Sequence, residues 1–285
     1  DDPGEDSNRD EIHMYGDISR LAGCNVTFGL TQVDRVPDLH LRVLDAVEAE
    51  NANGARLRPQ TTSRQIGILF GLSGRTPFDR TASWRALRDL PLAEKVARLS
   101  DPLERATLVA DADSTTDSFP FDWTAFHPLP NDPVRHDLGP DDSVAAEAAR
   151  RGVSIGEAFV ELALELDGRR LFTLPFLNQS LDEAIGMLQR PYVTLGLADA
   201  GAHAQQIMGA SQPTFFLTHW VRDRGAFTIE EAIRKLTSDT ADLFSIPDRG
   251  RLVPGAFADV NVIDLAGLAL HYPADDNADG SAGIT

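Results

Sequence analysis

A short apolar strand that ends in a carboxylate is the most informative feature of this chain. It lies in the run Tyr192-Val-Thr-Leu-Gly-Leu-Ala-Asp-Ala-Gly-Ala-His203, where Asp199 is followed by a glycine turn and a histidine. In a parallel α/β protein the carboxyl ends of the strands form the crevice in which catalytic side chains collect. A carboxylate at that place can hold a metal ion or move a proton. It can equally cap a helix or shape a turn, both of which Asp does well. His203 has the same two readings: it orients Asp199 or meets a substrate at the rim, or it simply opens the next helix. Gln60 and Arg64 follow a second predicted strand and are candidates for the mouth of a pocket. Arg64 there matches a substrate carboxylate, with an ordinary salt bridge as the plain alternative.

The elements that must position these residues are legible in the local pattern. Asn25–Gln32 reads as a buried strand, and Asp38–Glu50 has apolar residues at near-helical spacing. Asn53-Gly54 supplies a left-handed stop, and Ala55–Gln60 returns as a strand. A strand, helix and strand with a crossover of this length form a parallel unit. The stretch from 71 to 142 carries eight prolines that punctuate short helical pieces, pinned by Trp84 and Trp123, and reads as a loop-rich insertion of the kind that forms a lid or pocket wall. Three capping boxes follow, Ser154–Glu157, Ser180–Glu183 and Thr228–Glu231, each opening a helix. Pro213–Arg224 reads as a further helix that contains His219 and Trp220 as packing residues. The last capped helix carries Ile229, Ala232, Ile233, Leu236, Leu243 and Phe244 on its apolar face. Beyond Asp248-Arg-Gly250 the period changes to alternation around a Pro254-Gly255 turn, which predicts a β-hairpin over Arg251–Asp264. The tail from Pro273 is polar and expected to fray.

Composition bounds the function classes. A chain of 285 residues with 42% hydrophobic residues is long enough for one large α/β domain with an appendage. A net charge of −18 repels phosphates and argues against a nucleic-acid partner. No apolar run reaches the roughly 20 residues that cross a bilayer. The acidic start, Asp1–Asp10, is unlike a signal peptide, and its opening without Met reads as a fragment of a longer protein. A single cysteine, Cys24, excludes an internal disulfide framework; it reads as a small core hydrophobe in a reducing, cytoplasmic compartment. Among the other histidines, His40 is expected on a helix surface, and His13, His127 and His136 in loops. The acidic run Asp111–Asp117 reads as a solvated loop.

Four motifs occur in order at close spacing: Gly196-Leu-Ala-Asp-Ala-Gly-Ala-His203, Thr218-His-Trp-Val-Arg222, Leu236-Thr-Ser-Asp-Thr-Ala241, and Asp248-Arg-Gly-Arg-Leu-Val-Pro-Gly255 with Ala258-Asp259. Together they resemble the carboxyl-terminal part of the amidohydrolase superfamily, in its N-acyl-D-amino-acid deacylase (D-aminoacylase-like) branch. The resemblance is strongest over 190–265. It implies an α/β fold: part of a TIM-like (β/α)8 barrel over 11–246, with a C-terminal hairpin at 247–268 belonging to a small β-sandwich built from both chain ends, and a tail at 269–285. It also implies that Asp199 is both the catalytic residue and a metal ligand. A divalent ion, zinc by preference, would lower the pKa of a bound water to about 7, and Asp199 would pass the proton to the departing nitrogen of a small-molecule amide.

The departures from the family pattern are chemical ones. The chain has no His-x-His pair, and neither of its two lysines, Lys95 and Lys235, sits at a predicted strand end. At the end of the strand Asn25–Gln32, where the family places a ligand histidine, Thr31 and Gln32 stand instead, and a neutral carboxamide is a poor zinc ligand. The missing ligands lie upstream of Asp1, or the metal has been lost. The resemblance therefore predicts a metal-dependent amidohydrolase acting on a linear amide such as an N-acyl amino acid. The competing expectation is a non-catalytic barrel homologue with a binding or structural role; a cyclic amide or an ester is the further alternative within the enzyme reading.

Overall fold

The structure, a computed structural model, describes residues 3–118, 122–129, 135, 137–196, 199, 206, 207 and 209–271. In chain order its elements are α1 (Pro3–Ala22), α2 (Leu39–Ala52), β1 (Gln60–Thr61), β2 (Ile66–Gly71), α3 (Ala82–Arg88), α4 (Leu92–Ser100), α5 (Pro102–Asp113), β3 (His127–Pro128), α6 (Val144–Arg151), α7 (Ile155–Leu164), β4 (Leu171–Leu177), α8 (Leu181–Leu188), β5 (Thr194–Leu195), α9 (Gln212–Phe215), α10 (Ile229–Leu236) and α11 (Ser238–Leu243). They divide into two compact units. One consists of Asp1–Ile66, Phe176–Asp199 and Gly209–Leu270, and the other is built chiefly from Gly67–Pro175.

The first unit contains the expected parallel arrangement. Val26 N donates to Arg56 O (3.0 Å), Arg58 N to Val26 O, Gln60 N to Phe28 O and Leu30 N to Gln60 O (each 2.8 Å). β1 pairs in parallel with β5, Gln60 opposite Thr194 and Thr61 opposite Leu195. Three parallel segments thus lie side by side in the order 26–30, 57–61, 194–195. Because side chains alternate along a strand, one face is apolar. Val26, Phe28 and Leu57 pack with Ile12 and Val47 from α1 and α2. Leu30, Val193 and Leu195 pack with Leu44, Leu188, Phe215, Phe216 and Trp220. The other face is polar: Gln60 Nε2 donates to Thr27 Oγ1 (2.6 Å). Gly196 is small for a reason here, since a Cβ at this position would stand 2.2 Å from Gln60 Oε1.

All three predicted caps form, with Glu157 N, Glu183 N and Glu231 N donating to the Ser154, Ser180 and Thr228 hydroxyls. Only the last is reciprocal, Thr228 N donating back to Glu231. The helix it opens is shorter than predicted. Thr237 (φ −127°, ψ −83°) breaks it, and α11 starts at Ser238. Its buried residues are Ala232 and Lys235, whereas Ile229, Ile233 and Phe244 are exposed, which corrects the apolar face assigned from spacing. The helix predicted over Pro213–Arg224 runs as α9 and then as a π-helix over Phe216–Asp223.

The predicted hairpin is not formed. No residue of 251–264 belongs to a strand, and Leu252, Phe257, Val260 and Val262 are exposed. Alternation prescribes a two-faced strand, but a ladder needs a neighbour, and none of the described residues supplies one. His40 is buried, not on a helix surface; its Nε2 pairs with Glu183 Oε2 at 2.9 Å between α2 and α8. Cys24 is exposed in the turn after α1 and is no core residue. His136 and the tail beyond His271 lie outside the described residues.

In the second unit the short helical pieces expected between the prolines of 71–142 are present. This stretch holds α3, α4 and α5 and much of an aromatic core. Trp84, Phe78, Phe126 and Phe159 are almost fully buried, and Phe126 stacks on Phe172 with centroids 5.4 Å apart. Trp84 Nε1 finds the Leu108 carbonyl (2.9 Å) and Trp123 Nε1 the Thr116 carbonyl (3.1 Å), which is how buried indoles avoid an unsatisfied donor. Three of the described prolines stand at helix starts: Pro91 precedes α4, Pro102 follows the capping residue Asp101, and Pro140 opens a short 3-10 turn. The acidic run is likewise structural. Asp111 accepts from the Ser83 hydroxyl, which with the Ser83 backbone N–H holds its carboxyl below the usual range, and Asp113 accepts from Gly156 N (2.8 Å). A three-stranded sheet ordered β2-β4-β3 closes the core. β3 is antiparallel to β4, and Gly67 against Thr173 with Gly71 against Leu171 makes β2 antiparallel to β4 as well.

Candidate active site at the strand ends

At the carboxyl ends of the first two parallel segments Asn178 joins Gln32 to Thr61 and Thr62; Ser63 and Arg64 follow β1, and Asp199 stands three residues beyond Gly196 in the chain. Asp199 is half-buried with φ +49°, a left-handed conformation that few non-glycine residues adopt. Asn178, which follows β4, shares this conformation at φ +50°.

Asn178 is fully buried, and both polar atoms of its side chain and its backbone N–H are hydrogen-bonded. Its Nδ2 donates to Thr61 Oγ1 (3.0 Å) and Thr62 Oγ1 (2.8 Å), while its Oδ1 accepts from Gln32 N (2.9 Å). The backbone repeats the link, Asn178 N donating to Gln32 O (2.8 Å). Gln32 is buried and equally saturated: its Nε2 donates to Asp34 Oδ1 (2.7 Å) and its Oε1 accepts from Ser180 N (3.0 Å). Ser63 is buried beside Gln212, its Oγ donating to the Gln212 carbonyl (3.2 Å), and its own carbonyl takes the Trp220 indole N–H (2.6 Å).

Of the residues singled out from the sequence, Gln60 falls on β1, Arg64 three residues after it and Asp199 four residues after β5. Gln60 lies across the polar face of the sheet, bonded to Thr27. Arg64 Nη1 donates to Ser211 Oγ (2.5 Å), and its guanidinium lies 6.0 Å from the Phe215 ring centre. His203 lies outside the described residues. Sequence reasoning missed Asn178, Thr61, Thr62 and Gln212. The one signal for Asn178 was its place directly after an apolar run and before the Ser180 cap. Its partners are more than 100 residues away in the chain.

The donors present do not by themselves fit a metal ion. Among the described residues no three His, Cys, Asp or Glu side chains converge. The carboxamides and hydroxyls at the strand ends are neutral and already committed to one another.

The first unit thus combines helices with parallel strand segments, and a carboxylate follows the last of them. The sequence matches the model of the amidohydrolase family over residues 4–282, and the chain belongs to that family. It is 40% identical over 68 residues to a D-aminoacylase of Alcaligenes xylosoxydans xylosoxydans, a stretch that is 24% of this chain and 14% of the relative. An N-acyl-D-glutamate deacylase of the same organism is 39% identical over 71 residues, 25% of this chain and 14% of the relative. Among solved structures, the N-acyl-D-glutamate deacylase of Bordetella bronchiseptica, complexed with zinc and a phosphonate inhibitor, superposes with a TM-score of 0.46 at 19% identity. That superposition covers 87% of this chain and 42% of the other. A D-aminoacylase structure gives 0.45 at 16% identity, with the same coverage. The chain therefore corresponds to less than half the length of the relatives it matches.

Proposed function

We propose that this chain is part of a hydrolase that cleaves a non-peptide C–N bond, with an N-acyl amino acid or a similar linear amide as substrate. The observation that carries the reading is the position of Asp199, half-buried with a left-handed backbone and following a parallel strand in the chain. A carboxylate so placed takes a proton from an attacking water and returns it to the leaving nitrogen. In this reading Gln60, Arg64 and His203 face the substrate, with Arg64 meeting a substrate carboxylate. The relatives are named as a D-aminoacylase and an N-acyl-D-glutamate deacylase, and both names support an N-acylated D-amino acid. A divalent ion, zinc first, belongs to the proposal with Asp199 as one ligand and the others from outside the described residues. The full barrel and its β-sandwich belong to the same proposal.

The test is Asp199→Asn in the complete protein, assayed on a panel of N-acetyl-D-amino acids that includes N-acetyl-D-glutamate. Loss of about 10²–10⁴-fold in kcat is expected for a general base. Near-normal turnover would remove Asp199 from the mechanism.

A second reading, a homologue without chemistry, is favoured by Gln32. The side chain is buried and holds Asp34 and the start of α8, so the strand end that should offer a ligand offers none. Stoichiometric metal in the complete protein, measured by plasma mass spectrometry, would count against this reading; metal-free protein without turnover would establish it.

A further inference from the structure

We propose that Asn178 is the positioning residue for the strand that carries Asp199, an inference that rests on the reading of Asp199 as the proton-handling group. Asn178 is the point where the first two parallel segments are tied together at their carboxyl ends. Its Oδ1 and backbone N–H grip Gln32 at the end of one segment, and its Nδ2 grips the hydroxyls of Thr61 and Thr62 at the end of the next. The left-handed backbone at 178 is what lets one residue do both. It follows β4 and must turn back on itself before the Ser180 cap begins α8.

The tie extends to the third segment through the backbone. The Thr61 carbonyl accepts from Gly196 N (3.0 Å), and Asp199 follows three residues later. On the polar face Gly196 is wedged against Gln60, so the third segment cannot slide without disturbing the second. The two threonines cannot readily replace their partner. The Thr62 hydroxyl already donates to the Arg64 carbonyl, leaving only its lone pairs for Asn178. A buried polar network that is fully satisfied is rigid and geometrically particular. Displacement of a reacting group by about 1 Å is enough to cost about 10²-fold in rate.

Asn178→Gly separates the side chain from the backbone, because glycine accepts φ +50° without strain and only the carboxamide is lost. The measurements, in the complete protein, are hydrogen exchange of segments covering 190–199, 57–62 and α2, with kcat and KM on the N-acetyl-D-amino-acid panel. We expect exchange at 194–199 to rise about tenfold or more while α2 is unchanged. We also expect kcat to fall about 10- to 100-fold with KM within about threefold, as misplacement of one reacting group predicts. Unchanged exchange at 194–199, or an equal rise everywhere, would overturn the proposal, because a merely structural asparagine acts on global stability.

If Asn178→Gly does not fold, Asn178→Asp carries the same readouts. It keeps the acceptor for Gln32 N and loses the donor to Thr61 and Thr62, so its effect on 194–199 is expected in the same direction. Failure of the underlying reading is visible separately. Turnover by Asp199→Asn would sink the role of Asp199 while leaving the exchange result intact. An inactive Asp199→Asn beside an unaffected Asn178→Gly would sink the positioning role alone.

Discussion

Gly16 on α1 lies directly against Glu50 on α2, so closely that a Cβ at Gly16 would stand 2.2 Å from Glu50 Oε2. That carboxylate is the clasp between the two helices: Oε1 meets His13 Nδ1 at 2.8 Å and Oε2 accepts from Arg20 Nη1 at 2.6 Å. Alanine is the better helix former by about 1 kcal/mol. Gly16→Ala should nevertheless loosen α1, because Glu50 must swing away from both partners. Faster amide exchange in residues 8–20, with α10 unaffected, is the expected result; slower exchange in α1 would show that helix propensity wins.

The same clasp makes the attachment of α1 depend on pH. The Glu50 hydrogen bond raises the pKa of His13 above 6.5. For Glu50, burial pushes upward, but the bonds from His13 and Arg20 outweigh it and hold the carboxyl below 4.5. A raised histidine contributes stability fully below 6.5 and loses it as pH rises through the folded value. A lowered carboxylate contributes above 4.5 and loses it as pH falls through the folded value. Protection of α1 should therefore peak between 4.5 and 6.5 and decline on either side. A profile flat from pH 4 to 8, corrected for intrinsic exchange, would contradict this.

Phe159 on α7 is completely buried and touches Phe78, Trp84, Phe126 and Phe172. Phe159→Ala removes the ring from the centre of that cluster, at an expected cost of about 3–5 kcal/mol. Urea unfolding followed by tryptophan fluorescence reads it directly, since Trp84 and Trp123 belong to the same core. A loss under about 1 kcal/mol would mean that the cluster collapses into the space.

Both lysines of the chain are buried with carbonyl partners, Lys95 on Leu72 O (2.8 Å) and Lys235 on Val193 O (3.1 Å). Burial lowers both pKa values from 10.5. The unfolded chain then binds more protons in the window just below 10.5, so these residues make stability rise with pH there. Lys235→Met should reduce that slope in urea midpoints measured from pH 7 to 10. Identical slopes in the two proteins would show that Lys235 stays charged without penalty.

What could be read from sequence was what is decided within a few residues. The caps at Ser154, Ser180 and Thr228 close onto backbone three residues on, the stop at Gly54 needs only its own left-handed φ, and all four formed. The parallel unit of 25–60 was legible because a strand, an amphipathic helix and a strand at that spacing have few ways to pack. The ordered motifs of 196–259 identified the family, and Asp199 was visible as a polar end to an apolar run.

Tertiary structure decided everything that depends on a distant partner. The prolines of 71–142 marked short helical pieces, but the aromatic core that α3 to β4 build around Phe126, Phe159 and Phe172 was not visible locally. Alternation over 251–264 read as a hairpin, yet no described neighbour offers a hydrogen-bonding edge. His40 read as a helix-surface residue, yet its ring is buried and pairs with Glu183 on another helix. Asn178 carried almost no local signal, because its worth lies in hydroxyls 116 and 117 residues away. Local hydrogen bonds and periodicity are encoded over three or four positions. Burial and polar satisfaction are settled only when remote segments meet.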